Sequence, residues 1–353
     1  MSTAGARRTR LLVYCGADFD TKKKGLMNDS DSTDLVQSWN DYWQGAAGPD
    51  ARKRGGVNHT AFPSFWSQAL GEFVTEHPDG KVLDIGCGDG VVLAYLEQIP
   101  GAKLENVSAV DVSEHAIAGM QRRFPAVAGV VADAADIPLE SGQFDLVTSQ
   151  FGIDHAGPDA MDEAIRLLAP GGSLLFLMYI RPGELYRECD TAIDALQRVQ
   201  QSNFVPLARD FFTAGFAAVQ GGDRAPYNAA AKKLNPAIQE LEAVLKEHGE
   251  HVAGDMLVYL HSTVQAMHSR IQHYNPDEVL AWLDSIEKEM KQHLQRMTSM
   301  RDAALDPDAF DKLCKRLADA GLTVDNAAPL KMSEDELPVA WVLQASRSAA
   351  APH

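Results

Sequence analysis

Lys81-Val-Leu-Asp-Ile-Gly-Cys-Gly-Asp-Gly90 reads as a strand carrying one acid, Asp84, that runs directly into three glycines at alternate positions. Glycine suits such a place because the strand must turn sharply into a helix, with positive φ available and no Cβ to obstruct a ligand lying across the turn. The turn alone is weak evidence, since dinucleotide and mononucleotide proteins use related ones. Its surroundings are more informative. Asp111 ends the next apolar run, roughly 20 residues on, where a carboxylate can accept from both hydroxyls of a ribose. Asp133 ends the third run, where its side chain can accept from an adenine amino group while the backbone N–H of Ala134 donates to a ring nitrogen. Acids at three successive strand ends make an adenosine site without provision for phosphate, and Asp84 with Asp89 favours a ligand that carries positive charge.

Outward from the glycine turn, apolar runs at 82–85, 107–110, 130–132, 144–147 and 174–178 alternate with helical stretches at 90–98, 113–122 and 158–168. Runs buried on both faces and separated by helices predict an α/β fold with a parallel, doubly wound sheet. Ahead of it, helical spacing from Asp34 and again from Phe62 to Phe73 predicts an N-terminal helical cap over 31–80, interrupted by a Gly/Pro/Arg-rich link at 45–56. Residues 1–30 read as a flexible arm, or as chain ahead of a native start at Met27. The core occupies 81–180. From 181 to 305 the composition shifts to Ala, Leu, Glu, Gln, Lys and Met, which predicts a helical insertion after strand five with helices at 183–201, 206–219, 236–248, 252–273 and 276–304. Residues 306–348 return to the sheet through a helix at 308–320 and two strands.

The chain resembles the class I S-adenosylmethionine-dependent methyltransferases. The resemblance rests on Asp84-Ile-Gly-Cys-Gly-Asp-Gly90, on Asp111, on Asp133-Ala134 followed by Leu139 and Phe144-Asp145-Leu146-Val147, and on Leu167-Leu-Ala-Pro-Gly-Gly-Ser173 before the fifth strand. It implies a seven-stranded, mostly parallel sheet with a helical lid, S-adenosyl-L-methionine as cofactor and S-adenosyl-L-homocysteine as product. It also implies that Gly86, Gly88 and Gly90 wall the methionyl part and ribose, that Asp84 orients the aminoacyl end, and that Asp111 holds the ribose. Asp133 and Ala134 would hold the adenine, while Gln150 and Phe151 would meet methionine and acceptor.

Among 353 residues, 45% are hydrophobic, and Lys+Arg 32 against Asp+Glu 49 leaves a net charge of −17. That field repels phosphate backbones and anionic lipid surfaces, so nucleic acid and membranes are poor partners and a small molecule is the expected substrate. Cys15, Cys87, Cys189 and Cys314 lack the spacing of a zinc cage or a disulfide framework, which fits a reducing cytoplasm and no metal. The oligomeric state is open, a homodimer included.

Methyl transfer from a sulfonium is an in-line displacement, so the protein must align the acceptor and exclude water; a base is needed when the acceptor is a hydroxyl or an ammonium. O- or N-methylation is the default, with S-methylation admitted. Asp154 and His155, just past the fourth strand, are the candidate base pair, with Tyr179 at the end of the fifth. Arg181, Tyr42, Trp43, Tyr259 and His261 are candidates to contact the acceptor, and Trp39, Phe62, Phe65 and Trp66 complete an aromatic flap or a hydrophobic seam. Two readings compete: an NAD(P)-dependent oxidoreductase on the same glycine turn, and a non-catalytic adenosine-binding module.

Overall fold

The structure, a computed structural model, describes residues 29–45 and 59–349, so all but the last two residues of the expected arm over 1–30, and most of the Gly/Pro/Arg-rich link, lie outside the described residues. Seven strands form one sheet: β1 (Val82–Ile85), β2 (Val107–Asp111), β3 (Ala128–Val131), β4 (Phe144–Gln150), β5 (Leu168–Met178), β6 (Leu322–Leu330) and β7 (Ala340–Arg347). Their order is β3-β2-β1-β4-β5-β7-β6. The first five run parallel, and β7 is antiparallel to both β5 and β6. All four residues of β1 are buried, as a strand covered on both faces requires. Val82 contributes to one apolar layer with Phe62, Trp66, Leu93 and Met120, while Leu83 and Ile85 face the other with Met161, Ala164, Phe310 and Leu313.

The chain winds outward from β1 to β3 and then crosses back to place β4 against the free side of β1. The carboxyl ends of these two strands therefore flank the point where winding reverses, the crevice in which open α/β sheets bind ligands.

Two helix starts follow local chemistry. The hydroxyl of Ser113 accepts from Ala116 N–H at the start of α4 (Glu114–Arg123), and the Asp306 carboxylate accepts from Ala309 N–H at the start of α11 (Pro307–Asp319), with proline at the first helical position. The core helices between are α3 (Val91–Leu96) and α5 (Gly157–Leu167), preceded by α1 (Asp29–Gly45) and α2 (Ala61–Glu76). Among the boundaries that differ from the sequence expectation, three stand out. Helix α1 begins five residues before Asp34. Strand β5 begins at Leu168 and takes Pro170-Gly171-Gly172 inside it, a register irregularity between Phe144 and Leu146 of β4 absorbing the extra length. Finally, α8 (Ala225–His248) starts well before Pro236, which lies within the helix. Its apolar face continues through Leu234, Ala237, Leu241 and Val244, so burial on both sides outweighs the one hydrogen bond that proline removes.

The chain divides into two compact units, Met1–Arg187 with Ser299–His353, and Glu188–Thr298. The second is all helical, built from most of α6 (Glu184–Gln201) and α10 (Pro276–Ala303) with α7 (Phe204–Val219), α8 and α9 (Met256–Ser269). Its core holds Phe204, Phe212, Leu241, Leu257, Leu260 and Leu283. Among the described residues no helix is long and apolar enough to cross a membrane.

Candidate active site

Asp84 sits third in the four-residue strand β1 and is 1% exposed. Its Oδ1 accepts from the Thr148 hydroxyl of β4 at 2.9 Å, while Oδ2 is buried with no hydrogen-bond partner. Burial raises its pKa to about 7, against the Thr148 hydrogen bond and with a smaller push from the nearby Asp111 charge.

The glycine turn follows. Gly86 has φ +65°, and a Cβ there would lie 2.6 Å from the Cα of Gly152, just past β4. Two backbones touch at the switch point, and neither can yield to a side chain. Gly86→Ala should lose about 2–4 kcal/mol of stability, the sum of a left-handed alanine and a clash with main chain. Urea unfolding measures it; a loss under about 1 kcal/mol would show that the two loops are free to part.

At the end of β2, both oxygens of Asp111 are engaged by backbone: Oδ2 accepts from Gly88 N–H and Oδ1 from Ser113 N–H, each at 2.9 Å. The carboxylate thereby ties the glycine turn to the start of α4, and each oxygen retains a lone pair for a further donor. Asp133, 6% exposed, accepts from Ala135 N–H through Oδ1, with Ala134 half-buried between them. Burial pushes the pKa of both acids upward.

Helix α1 reaches this edge of the sheet. The Ser113 hydroxyl donates to Asn40 Oδ1 at 2.7 Å, and the Trp43 indole lies so close that a Cβ on Gly88 would meet it at 2.6 Å. Trp43 thus stands at the glycine wall, with Tyr42 at 5.0 Å and Trp39 beyond it, 5.9 Å from Tyr42.

The end of β4 carries the remaining groups. Gln150 Oε1 accepts from the Trp66 indole N–H at 2.5 Å. Phe151 adopts φ +56°, a left-handed conformation rare outside glycine, asparagine and aspartate, and stacks on Tyr179 at 4.6 Å with Phe62 edge-on at 5.4 Å. Asp154 is 8% exposed; Oδ2 accepts from Tyr179 N–H at 2.7 Å and Oδ1 has no partner. Burial raises its pKa to about 7. His155 Nδ1 lies 3.0 Å from the Ser299 hydroxyl, and its Nε2 is buried without a partner. The rings of Trp39 and Tyr179 meet the imidazole edge-on at 5.8 and 5.6 Å, and burial lowers its pKa to about 4. The unpartnered buried atoms Asp84 Oδ2, Asp154 Oδ1 and His155 Nε2 all follow from the carboxyl-terminal parts of β1 and β4. A buried polar atom without a partner is costly, and such atoms concentrate where a ligand completes the pairing.

The other candidates have partners of their own. Arg181 is ion-paired with Asp306 at 2.5 Å, tying β5 to the start of α11. Tyr259 and His261 belong to the second unit, where Tyr259 packs edge-on to Trp282 and His261 lies 3.3 Å from Glu242. Phe62 and Trp66 are 0% exposed, core members in the manner of a seam. Sequence reasoning missed Thr148, Gly152 and Ser299. Gly152 had a signal in its place directly after the strand end, whereas Ser299 is 144 residues from His155 and had none. Among the described residues no cluster of His, Cys, Asp or Glu could hold a metal ion.

A model of the methyltransferase-domain family matches residues 83–176. The ubiquinone/menaquinone biosynthesis C-methyltransferase UbiE of Cereibacter sphaeroides is 33% identical over 32% of this chain and 48% of its own length. The UbiE of Ectopseudomonas mendocina is 30% identical over 52% of this chain and 70% of its own. The chloroplastic tocopherol O-methyltransferase of Arabidopsis thaliana is 30% identical over 37% and 38%. The chain spans about half the length of the first curated relatives it matches.

Proposed function

Because the chain belongs to the class I S-adenosylmethionine-dependent methyltransferases, we propose that it transfers the methyl group of S-adenosyl-L-methionine to a small aromatic acceptor bearing a hydroxyl, with His155 as the base. The observation that carries this reading is the set of buried, unpartnered atoms Asp84 Oδ2, Asp154 Oδ1 and His155 Nε2 at one edge of the sheet.

The residues present fit the family's cofactor. Asp84 offers a buried carboxylate oxygen to a cationic aminoacyl group, and Asp111 offers lone pairs to ribose hydroxyls. Asp133 and the Ala134 backbone suit the adenine edge, and the glycines leave room for a ligand against the turn. When bound, the cofactor supplies an electrophilic methyl carbon on a sulfonium. The protein's part is to bind, orient and exclude water. Trp39 and Tyr179 flank His155 with aromatic surface, and Phe151 stacks on Tyr179, a wall that suits a flat acceptor and keeps water from the imidazole. Neutral at physiological pH, His155 takes the hydroxyl proton at Nε2 as the oxygen's charge develops. The resulting imidazolium and oxyanion stabilise one another in a region of low dielectric, which offsets the imidazole's reluctance to protonate.

The names of the relatives support the same acceptor class, since ubiquinone, menaquinone and tocopherol are all built on oxygen-bearing rings. The C-methyltransferase likeness favours a second reading on the same groups, in which the deprotonated hydroxyl activates a neighbouring ring carbon. Turnover of methyl-labelled cofactor against matched phenols, anilines and thiols tests the proposal, and product analysis separates ring from oxygen methylation. Preference for the amines or thiols would sink the hydroxyl reading, and tight binding of NAD(P) in place of S-adenosylmethionine would sink the whole assignment.

Asp111→Ala should weaken the cofactor by about 1–3 kcal/mol through loss of charge-assisted hydrogen bonds, read by calorimetry. Unchanged affinity in a folded variant would place the ribose elsewhere.

A further inference from the structure

The contact of His155 with Ser299 bears on which nitrogen of the imidazole faces the site. Neutral imidazole carries one proton, so one nitrogen donates and the other accepts. Nδ1 is 3.0 Å from the Ser299 hydroxyl oxygen, and a hydroxyl can serve either tautomer by rotating. Nε2 has no partner and is buried. If the proton sat on Nε2, the structure would hold a buried N–H with nothing to receive it, an arrangement that native proteins almost never keep. If it sits on Nδ1, the N–H donates to Ser299 and Nε2 presents a bare lone pair, a milder deficit. The edge-on contacts of the ring with Trp39 at 5.8 Å and Tyr179 at 5.6 Å supply no acceptor for Nε2 and hold the ring's orientation.

We propose that Ser299 is a positioning residue that accepts the Nδ1 proton of His155 and so keeps Nε2 unprotonated toward the acceptor. The proposal rests on the reading of His155 as base. Ser299 lies in the last turns of α10 and belongs to the same unit as His155, outside the segment 83–176 that matches the methyltransferase-domain model. The base would therefore owe its working form to a residue that returns to the core only after the whole helical insertion.

Long-range proton–nitrogen correlation spectra of full-length protein labelled with nitrogen-15 histidine test it, with the His155 signals assigned by their loss in His155→Gln. In the wild type the expected pattern is a protonated Nδ1 and a bare Nε2. Ser299→Ala, a benign change within a helix, is expected to move the proton to Nε2 and lower kcat by about tenfold or more, with affinity for S-adenosylmethionine retained. Ser299→Thr keeps the hydroxyl and is expected to restore both. A wild-type ring protonated on Nε2 overturns the proposal. So does a Ser299→Ala spectrum like that of the wild type, or a shifted tautomer at full kcat. The spectrum needs no turnover, so it judges Ser299 separately: full turnover in His155→Gln defeats the base, whereas an unmoved tautomer defeats Ser299 alone.

Discussion

Replacing His155 with glutamine should lower turnover by about 10²- to 10⁴-fold while leaving the affinity for S-adenosylmethionine within roughly a factor of two. The imidazole contacts Ser299, Trp39 and Tyr179, and none of these is among the groups assigned to the cofactor. Glutamine preserves a polar side chain of similar reach but cannot take a proton near neutrality. Single-turnover rates with a phenolic acceptor, beside calorimetry of the cofactor, separate chemistry from binding. Equal rates in the two proteins would leave the histidine structural.

The same residue has a second signature. Its folded pKa of about 4 lies below the ordinary value of 6.5, so at intermediate pH the unfolded chain binds the proton that the folded protein refuses. Its contribution to stability is therefore present above pH 6.5 and is lost as pH falls toward 4. The base remains unprotonated throughout the neutral range, so an acid limb near pH 7 must come from another group.

Asp84 and Asp154 are both raised to about 7, and of the two it is Asp84, the subject of the second large effect, that is expected to act on cofactor binding. In the ligand-free protein its pKa is about 7. Protonation as pH falls through that value removes the charge that a cationic aminoacyl group would meet, so cofactor affinity should fall by up to about tenfold per pH unit below 7 and level off above it. Asp84→Asn should abolish this pH dependence and weaken binding at pH 8 by about 10- to 100-fold.

The same variant should be more stable than the wild type without cofactor. A carboxyl whose folded pKa is raised from 3.8 to about 7 favours folding in its protonated form, and the folded state loses that advantage as pH rises through this interval. At pH 8 the buried charge costs about 4 kcal/mol on this linkage, a penalty that the neutral amide avoids while still able to face Thr148. Urea denaturation should show Asp84→Asn ahead of the wild type at pH 8, by about 1–3 kcal/mol, with a smaller lead at pH 5. A variant that is destabilised equally at both pH values would place the carboxylate's penalty elsewhere. Together, weaker binding and a more stable ligand-free protein would mark Asp84 as a group kept for function against stability.

The acids and glycines proposed to hold the cofactor were legible as a group because each of them is locally encoded. A strand, an acid near its end and a glycine turn occupy ten consecutive residues, and Asp111 and Asp133 announce themselves by ending apolar runs. What escaped the sequence depends on contacts between distant segments. Gln150 meets Trp66 across 84 residues, and His155 meets Ser299 across 144. The aromatic residues of α1 and α2 were visible as a group, yet only packing separates Phe62 and Trp66, wholly inside the core, from Trp39 beside His155 and Trp43 at Gly88. Arg181 looked available to an acceptor until Asp306 appeared beside it.

Periodicity and turn chemistry by themselves determined the alternation of strands and helices, the parallel run of strands and the gathering of Asp84, Asp111 and Asp133 at the carboxyl edge of the sheet, since those depend on the order of apolar, acidic and glycine residues along a short stretch. Tertiary structure alone decided which imidazole nitrogen finds a partner, which carboxylate oxygens remain unpaired, and which backbones touch at Gly86 and Gly152. Those are properties of burial and distance, and no local pattern encodes which far segment arrives to bury a group or leaves it without a partner.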